Sequence, residues 1–307
     1  SLLKQLEVKS TTGAGQTGTL RLDWTPLLTG RDSASYASDW SLGASTFTLL
    51  QSGTNYVSVR VSDNAGSAAT LTDAFYVRKD TQAPVITDGQ AGENVWRNSN
   101  SGTYNVSFTD AGGSLLSKFQ VRASTVPGGA GPFSPDWTDN VTAINAASYA
   151  GGWAPAAGVW NLLQPGTNYI SIRAWDNAGS LTDLADAFNV LKDTQVPSGI
   201  AVPPAYAGAL NFSVPYSASD AGPAGVNYVK LYYTMNTVSP YTWTQFGGTF
   251  ASSPIAFNAP SGGTAGFRIV AYDRAGNFDE AAPPAPETAP EASTLIDLAA
   301  PVVTDNQ

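Results

Sequence analysis

The sequence predicts an all-β chain of tandem two-sheet β-sandwiches, arranged as an elongated array. Three observations support this fold class: a long internal repeat, runs in which apolar and polar residues alternate, and turn-forming residues between those runs. The repeat is the strongest of the three. GTNYVSVRVSDNAGS at 53–67 returns as GTNYISIRAWDNAGS at 166–180, and DAFYVRKDTQ at 73–82 returns as DAFNVLKDTQ at 186–195. Such repetition predicts similar folded units in succession.

The repeat divides the chain into four stretches. No gap is needed to match Ser1–Gln82 with residues 114–195, and a diverged third copy keeps AYDRAGN where the second has AWDNAGS. We predict an N-terminally truncated sandwich at 1–82, a complete sandwich at 83–195, a diverged sandwich at 196–298 and the first strand of a further repeat at 299–307. The first three stretches are the first, second and third units.

Alternation with period 2 predicts the strands inside each unit. TYNVSFTD, NYISIRAWD and LNFSVPYSASD each place apolar residues on one face and polar residues on the other. No window of comparable strength shows a helical period. EAAPPAPETAPEAS at 280–293 is a Pro-rich, acidic insertion that we expect to be extended and to protrude. The predicted core faces hold Tyr104, Val106 and Phe108; Ile170, Ile172 and Ala174; and Leu210, Phe212, Val214 and Tyr216.

One stretch of the second unit resembles a known family. LLQPGTNYISIRAWDNAG is similar to the segment of fibronectin type III domains in which a Leu and a Pro-Gly-Thr turn lead to a Tyr, the tyrosine corner. The matching residues are Leu163, Pro165, Gly166, Thr167 and Tyr169. The resemblance implies fibronectin-like or immunoglobulin-like sandwiches, as in tandem repeats of large bacterial surface proteins.

The match to that family has two departures. Tyr169 is adjacent to Ile170, so it can share the core face only if a bulge intervenes. The third unit has Gly266 where the tyrosine would align, with Phe267 next to it. Both departures put the tyrosine corner in question.

Composition narrows the function classes. The chain has no cysteine and no histidine, which removes thiol nucleophiles, thiolate metal sites and the commonest general base. A net charge of −9 without a Lys/Arg cluster argues against a nucleic-acid partner. The lack of an apolar run of about 18 residues argues against direct membrane insertion. We therefore expect a non-enzymatic protein on the outside of a bacterial cell, with any export signal outside this sequence.

GAGQTG at 13–18 matches the G-x-G-x-x-G pattern of dinucleotide sites. That pattern binds a pyrophosphate only between a strand and a helix. Because it lies between two predicted strands, we interpret it as a hairpin loop.

Aspartates recur in the linkers and at the ends of predicted strands, including Asp110 and Asp220. Calcium takes six to eight oxygen ligands, so carboxylates that meet at the end of a unit can bind it and stiffen the junction. Alternatively, these side chains only cap turns through nearby backbone N–H groups. The candidate calcium ligands are Asp63, Asp80, Asp176, Asp193, Asp273 and Asp297.

Two tryptophans are candidates for contact with a glycan or a partner protein. Trp175 replaces Ser62 of the first unit, and Trp96 has no counterpart in the chain. An exposed aromatic plane can stack on a sugar or pack against a protein. The alternative is that both are packing residues, as repeated positions indicate for Trp24 and Trp137.

Two functions remain open. The first is a structural repeat module of a large extracellular bacterial surface or filament-forming protein, a semi-rigid rod whose partners are copies of the same chain or adjoining repeats, head to tail. The alternative is an adhesin or carbohydrate-binding accessory module of a secreted protein. An enzyme based on Asp/Glu pairs is least favoured, because the acidic residues repeat at turn positions.

The start of the sequence raises a separate expectation. Ser1 aligns with Ser114, so the first unit lacks equivalents of residues 83–113 and is expected to have an open core and an unpaired sheet edge. Either the sequence is part of a longer repeat chain, or another chain donates the missing strands. In the second case, residues 299–307 would supply an edge strand only.

Overall fold

The first unit forms a single sheet. A computed structural model describes residues 1–90 and 94–304, and strands dominate throughout. The elements of this unit are β1 (Leu3–Gly13), β2 (Thr17–Ser33), helix α1 (Ala44–Leu49), β3 (Gly53–Asp63) and β4 (Ala68–Lys79). The four strands pair antiparallel in the order β2-β1-β3-β4.

The second unit is a two-sheet sandwich. It contains β5 (Val85–Asp88), β6 (Trp96–Arg97), β7 (Val106–Thr109), β8 (Leu116–Ser124), β9 (Thr138–Val141), β10 (Ser148–Tyr149), helix α2 (Ala157–Leu162), β11 (Gly166–Asp176) and β12 (Leu181–Lys192). A three-stranded sheet, β10-β7-β5, packs on a five-stranded sheet, β6-β12-β11-β8-β9. The short strands β5, β7 and β10 therefore face the sheet that contains the longer strands β8, β11 and β12, as the two sheets of an immunoglobulin-like sandwich do. The predicted fold class is confirmed.

The third unit repeats this arrangement with a broken strand. Its strands are β13 (Ser198–Ala201), β14 (Tyr206–Ala207), β15 (Asn211–Val214), β16 (Tyr216–Ser219), β17 (Val226–Thr234), β18 (Thr244–Phe250), β19 (Ile255–Asn258), β20 (Gly263–Asp273) and β21 (Ala292–Ile296). One sheet has the order β14-β21-β20-β17-β18, and the other side consists of the pairs β13-β16 and β15-β19. The predicted strand LNFSVPYSASD divides at Pro215, which has no N–H for the sheet ladder.

Aromatic rings form the core of the second unit. Tyr104 stacks on Phe188 with 4.0 Å between ring centroids, and Phe108 stacks on Phe119 at 4.4 Å. Trp153 donates its indole N–H to the carbonyl of Val106 at 2.9 Å, which satisfies its polar atom inside the core. All the apolar side chains predicted for the inner faces of this unit are buried: Tyr104, Val106, Phe108, Ile170, Ile172 and Ala174.

The first unit has a much smaller core. Its core cluster has three buried apolar side chains, Val8, Leu22 and Val57, and Leu50 is buried outside this cluster. No second sheet among the described residues covers the four strands, and large side chains of β4 remain exposed, with Leu71 64% and Tyr76 57% accessible. The core of the first unit is therefore small, and β2 and β4 are the edges of its sheet. The truncation of this unit stays a prediction.

Two short helices were not predicted, because six residues are too few to show a helical period. A lysine at equivalent positions caps each one. Lys79 donates to the carbonyls of Phe47, Thr48 and Leu50, and Lys192 donates to those of Trp160 and Leu163. A cation thus satisfies carbonyls that a helix C-terminus leaves free. Burial lowers the pKa of Lys192. Neither helix is long and apolar enough to cross a membrane.

An asparagine, not a tyrosine, forms the buried corner at the start of β11. Asn168 is 1% exposed; its amide donates to the carbonyls of Gln164, Gly166 and Val190 and accepts the N–H of Gln164. Asn55 makes the equivalent bonds in the first unit. Tyr169 lies half-buried on the opposite face, because the register shift in β11 falls after Ile170. The family's tyrosine corner is thus replaced.

The Pro-rich insertion does not protrude as predicted. Arg268 on β20 forms an ion pair with Glu280 at 2.7 Å and donates to the carbonyl of Ala289, and Tyr241 donates its N–H to Pro286. Glu291 accepts the N–H groups of two strands, β13 and β20. The segment therefore packs along the third unit.

Two further predictions concern loops and the C-terminal tail. GAGQTG is the hairpin loop between β1 and β2, as interpreted, and Gly15 donates its N–H to the carboxylate of Asp73. Residues 299–304 belong to no strand, and 305–307 lie outside the described residues, so the additional strand at 299–307 stays a prediction.

We predict that Asn168→Ala destabilises the second unit by about 3 kcal/mol, because it leaves buried backbone groups without partners. Urea unfolding of the full chain, followed by Trp fluorescence, measures this. Tyr169→Phe is the control and is expected to change stability by less than about 0.5 kcal/mol. Equal effects of the two substitutions would contradict the asparagine corner.

Candidate metal centres at the unit junctions

Three aspartates meet at the junction of the first and second units. Asp80 lies in the linker 80–84, Asp110 follows β7, and Asp176 ends β11. One carboxylate oxygen of each lies within 4.8 Å of the others. Asp110 and Asp176 are 5% and 3% exposed, whereas Asp80 is partly exposed. Sequence reasoning selected Asp80 and Asp176 as calcium ligands but recognised Asp110 only as the end of a strand.

Local turns orient these three carboxylates. In each case one oxygen accepts a backbone N–H from a residue two or four positions later, the geometry that favours Asp in such turns. The capping interpretation is therefore correct for one oxygen of each side chain. Of the other oxygens, Asp80 Oδ2 and Asp110 Oδ2 accept hydrogen bonds from Ser114, whereas Asp176 Oδ2 has no donor among the described residues. The capping bonds are Gln82 N–H to Asp80 Oδ1 at 2.9 Å, Gly112 N–H to Asp110 Oδ1 at 3.1 Å, and Ser180 N–H to Asp176 Oδ1 at 2.8 Å.

The linker carboxylate also binds the second unit. Ser114 donates its N–H to Asp80 Oδ2 at 2.9 Å. Burial acts to raise the pKa of Asp80, but hydrogen bonds from Ser114 and Gln82 outweigh it, so the pKa lies below its usual value. Asp80 is therefore charged at neutral pH. Its hydrogen bond from the Ser114 N–H is stronger than one to a neutral carboxyl group would be.

Among the described residues, the three carboxylates have no cationic side chain as an ion-pair partner. Asp176 Oδ2 is buried and accepts no hydrogen bond from the described residues. At an effective dielectric constant of about 20, two ionised carboxylates with oxygens 4.8 Å apart would repel by about 3.5 kcal/mol.

Gly112 allows the close approach of the linker. A Cβ atom built on Gly112 would lie 1.8 Å from Asp80 Oδ1. Any side chain at this position would displace the carboxylate. Gly222 has the same role at the next junction, where a Cβ would lie 2.4 Å from both oxygens of Asp193.

A second triad lies at the junction of the second and third units. Asp193, Asp220 and Asp273 bring one oxygen each within 4.8 Å of the others. The same turns hold them, through the N–H groups of Gln195, Gly222 and Asn277. The N–H of Ala224 binds Asp193 Oδ2 at 2.8 Å, as Ser114 binds Asp80.

The two junctions differ in the residues around the last aspartate. Asn277 takes the place of Ser180, and its amide donates to Asp273 Oδ2 at 2.6 Å and to the carbonyl of Asp193 at 3.1 Å. Arg274 takes the place of Asn177 and donates to the carbonyl of Ala224 at 2.7 Å. At the first junction Asn177 donates its amide to the equivalent carbonyl, that of Ser114, at 3.0 Å. The second junction thus differs in having a positive charge at this position and an amide donor to Oδ2 of its last aspartate.

The other candidate ligands belong to no triad of the described residues. Asp63 Oδ1 accepts the N–H of Ser67, and Asp297 Oδ1 accepts that of Ala299, as in the equivalent turns. Asp297 is exposed. Their assignment to calcium stays a prediction.

Trp96 and Trp175 are not brought together. Trp96 lies on β6 opposite Leu191, and Trp175 lies opposite Leu181, so they flank opposite ends of the same sheet. Both are half-buried, and the Trp175 indole N–H donates to Gln120 at 3.1 Å. A glycan or partner contact at these residues stays a prediction.

The repeated Trp137 has a structural role on the outer sheet surface. The guanidinium groups of Arg122 and Arg173 lie 4.5 and 4.4 Å from its ring centroid. In the first unit, the guanidinium group of Arg60 lies 4.4 Å from the ring centroid of Trp24. These cation–π contacts join neighbouring strands.

No protein-family model matches the chain, and neither does any curated protein. Similar solved structures include the fibronectin(III)-like modules of CbhA from Clostridium thermocellum, with 15% identity, a TM-score of 0.30, and coverage of 70% of this chain and 94% of that one. A tetra-tandem repeat in the extending region of a large adhesion protein has 16% identity, a TM-score of 0.30, and coverage of 97% and 68%. A Ca²⁺-stabilized adhesin that helps an Antarctic bacterium to bind ice has 13% identity, a TM-score of 0.31, and coverage of 90% of this chain and 63% of that one. At such TM-scores these similarities carry no argument about function.

We predict that Gly112→Ala displaces Asp80, so that the Ser114 amide exchanges hydrogen at least about tenfold faster. Hydrogen exchange of the full chain, read by NMR, measures this. Gly158→Ala in α2, where a Cβ meets nothing within 4 Å, is the control and is expected to leave Ser114 unchanged. Unchanged protection of Ser114 in Gly112→Ala would show that Asp80 does not hold this amide.

Proposed function

We propose that this chain is a structural repeat module of a large extracellular bacterial surface or filament-forming protein, acting as a semi-rigid spacer. The observation that carries the proposal is the repeated fixation of the linkers. Asp80 and Asp193 each accept a backbone N–H of the following unit, from Ser114 and Ala224 respectively. A linker tied in this way has far less freedom than a Gly/Ser-rich one.

The partners in this proposal are other copies of the chain or adjoining repeats, joined head to tail. The edge strands β2 and β4 of the first unit offer backbone groups to an added strand, which supports strand complementation as the mode of joining. For the alternative, an adhesin or carbohydrate-binding module, the described residues show no cluster of exposed tryptophans, so the spacer is the better supported function.

We predict that small-angle X-ray scattering shows an extended rod, and that its maximum dimension changes little with salt concentration or temperature. Inserting six Gly/Ser residues between Gln82 and Ala83, and again between Gln195 and Val196, should give a broader distribution of dimensions, because the units then move independently. Circular dichroism of both chains controls for folding. A wild-type chain as variable as the chain with inserted linkers would contradict a spacer function.

A further inference from the structure

We propose that the first junction binds one calcium ion between Asp80, Asp110 and Asp176, whereas the second junction is closed by Arg274 and Asn277 and requires no ion. The two junctions share the same turns and the same three aspartates. The proposal therefore rests on what differs between them.

A buried acceptor points to a ligand at the first junction. Asp176 is 3% exposed, and its Oδ2 atom, which has no donor among the described residues, belongs to a triad of carboxylates within 4.8 Å of one another. A buried carboxylate oxygen without a hydrogen-bond partner is costly. A cation among the three carboxylates satisfies this oxygen and removes the mutual repulsion of the three charges.

The chemistry of the donors selects calcium. All three side chains offer hard carboxylate oxygens, and the chain has no cysteine or histidine to attract softer metals. Calcium accepts six to eight oxygens in a flexible arrangement, whereas magnesium requires a near-ideal octahedron and gives up water reluctantly. The carboxylates are spread over a linker and two loop ends, which suits the larger and more tolerant ion.

The site is accessible to solvent at its linker side. Asp80, Gly112, Ser114 and Asn177 line one cleft at this junction, together with the exposed Arg78. Arg78 forms no ion pair with the triad. An ion can therefore enter next to Asp80 and reach the buried oxygens of the second unit.

The second junction replaces the ion with protein groups. The amide of Asn277 joins Asp273 to the Asp193 carbonyl, which is the same linker-to-unit connection that an ion would make. The guanidinium group of Arg274 donates to the carbonyl of Ala224, and the N–H of the same residue donates to the carboxylate of Asp193. Arg274 thus brings a positive charge to this junction. Asp220 Oδ2 also has no donor among the described residues, but Asp220 is only partly buried, whereas Asp176 is 3% exposed. At the first junction the amide of Asn177 donates to the carbonyl of Ser114 at 3.0 Å, as Arg274 donates to that of Ala224, but it carries no charge. Asp176 Oδ2 has no donor among the described residues, whereas Asn277 donates to Asp273 Oδ2.

Calorimetric titration of the calcium-free full chain tests the site. We expect one equivalent of Ca²⁺ with a dissociation constant of about 10⁻⁵–10⁻³ M, and at least tenfold weaker binding of Mg²⁺. Asp176→Asn should weaken Ca²⁺ binding at least about 100-fold, whereas the matched Asp273→Asn should leave it unchanged. No binding, equal binding of Mg²⁺, or loss of binding in Asp273→Asn would overturn the proposal.

An exchange of the differing residues tests the asymmetry without removing a carboxylate. Asn177→Arg with Ser180→Asn should abolish Ca²⁺ binding while the chain stays folded. Arg274→Asn with Asn277→Ser should raise the stoichiometry to two. Failure of both exchanges would show that these residues do not decide which junction takes the ion.

Spin labels locate the effect of the ion. Because the chain has no cysteine, Ser45→Cys with Asn161→Cys reports the first junction, and Asn161→Cys with Ala251→Cys reports the second. Ca²⁺ should narrow the distance distribution of the first pair only. Narrowing of both pairs, or of neither, would contradict the proposal. The spacer function has a separate test. It is contradicted if the dimensions of the chain with Ca²⁺ bound vary as widely as those of the chain with inserted Gly/Ser linkers, whatever the calcium titration shows.

Discussion

A carboxylate at the end of a strand can use one oxygen to complete its own turn while the other stays available, and both junctions depend on this division. In Asp110 and Asp176 the first oxygen accepts a backbone N–H a few residues later, and that bond fixes where the second oxygen points. The linker Asp80 does the same with Gln82 and then reaches the next unit through Ser114. Turn chemistry and the coupling of units are thus one feature of the structure.

The same frame allows two ways of balancing charge. Three carboxylates in a partly buried junction require positive charge or donors, because the low local dielectric strengthens their repulsion. The second junction has these in Arg274 and Asn277, on the turn that follows β20. The first junction has a neutral asparagine and a serine at these positions. In our proposal, protein groups alone fix the linker of the second junction, whereas the linker of the first junction depends on a bound cation.

The sequence predicted the strands of the second unit well, because alternation and the 53–67 to 166–180 repeat both report on local structure. The aspartates at strand ends were visible for the same reason. Their grouping into triads was not, since Asp80 and Asp176 come from different units and only the tertiary arrangement brings them together. The helices were too short to show a period. The repeat does contain a signal for the corner residues, because Asn55 and Asn168 occupy the same position of the two GTNY stretches.

Amide hydrogen exchange in the presence and absence of a chelator tests the central claim most directly, because Ser114 and Ala224 report the two junctions in the same molecule. With calcium present, both amides should be protected by their linker aspartates. Removing calcium should speed exchange at Ser114 by about tenfold or more and leave Ala224 within about twofold. Equal acceleration at both amides, or none at Ser114, would contradict this account of the junctions.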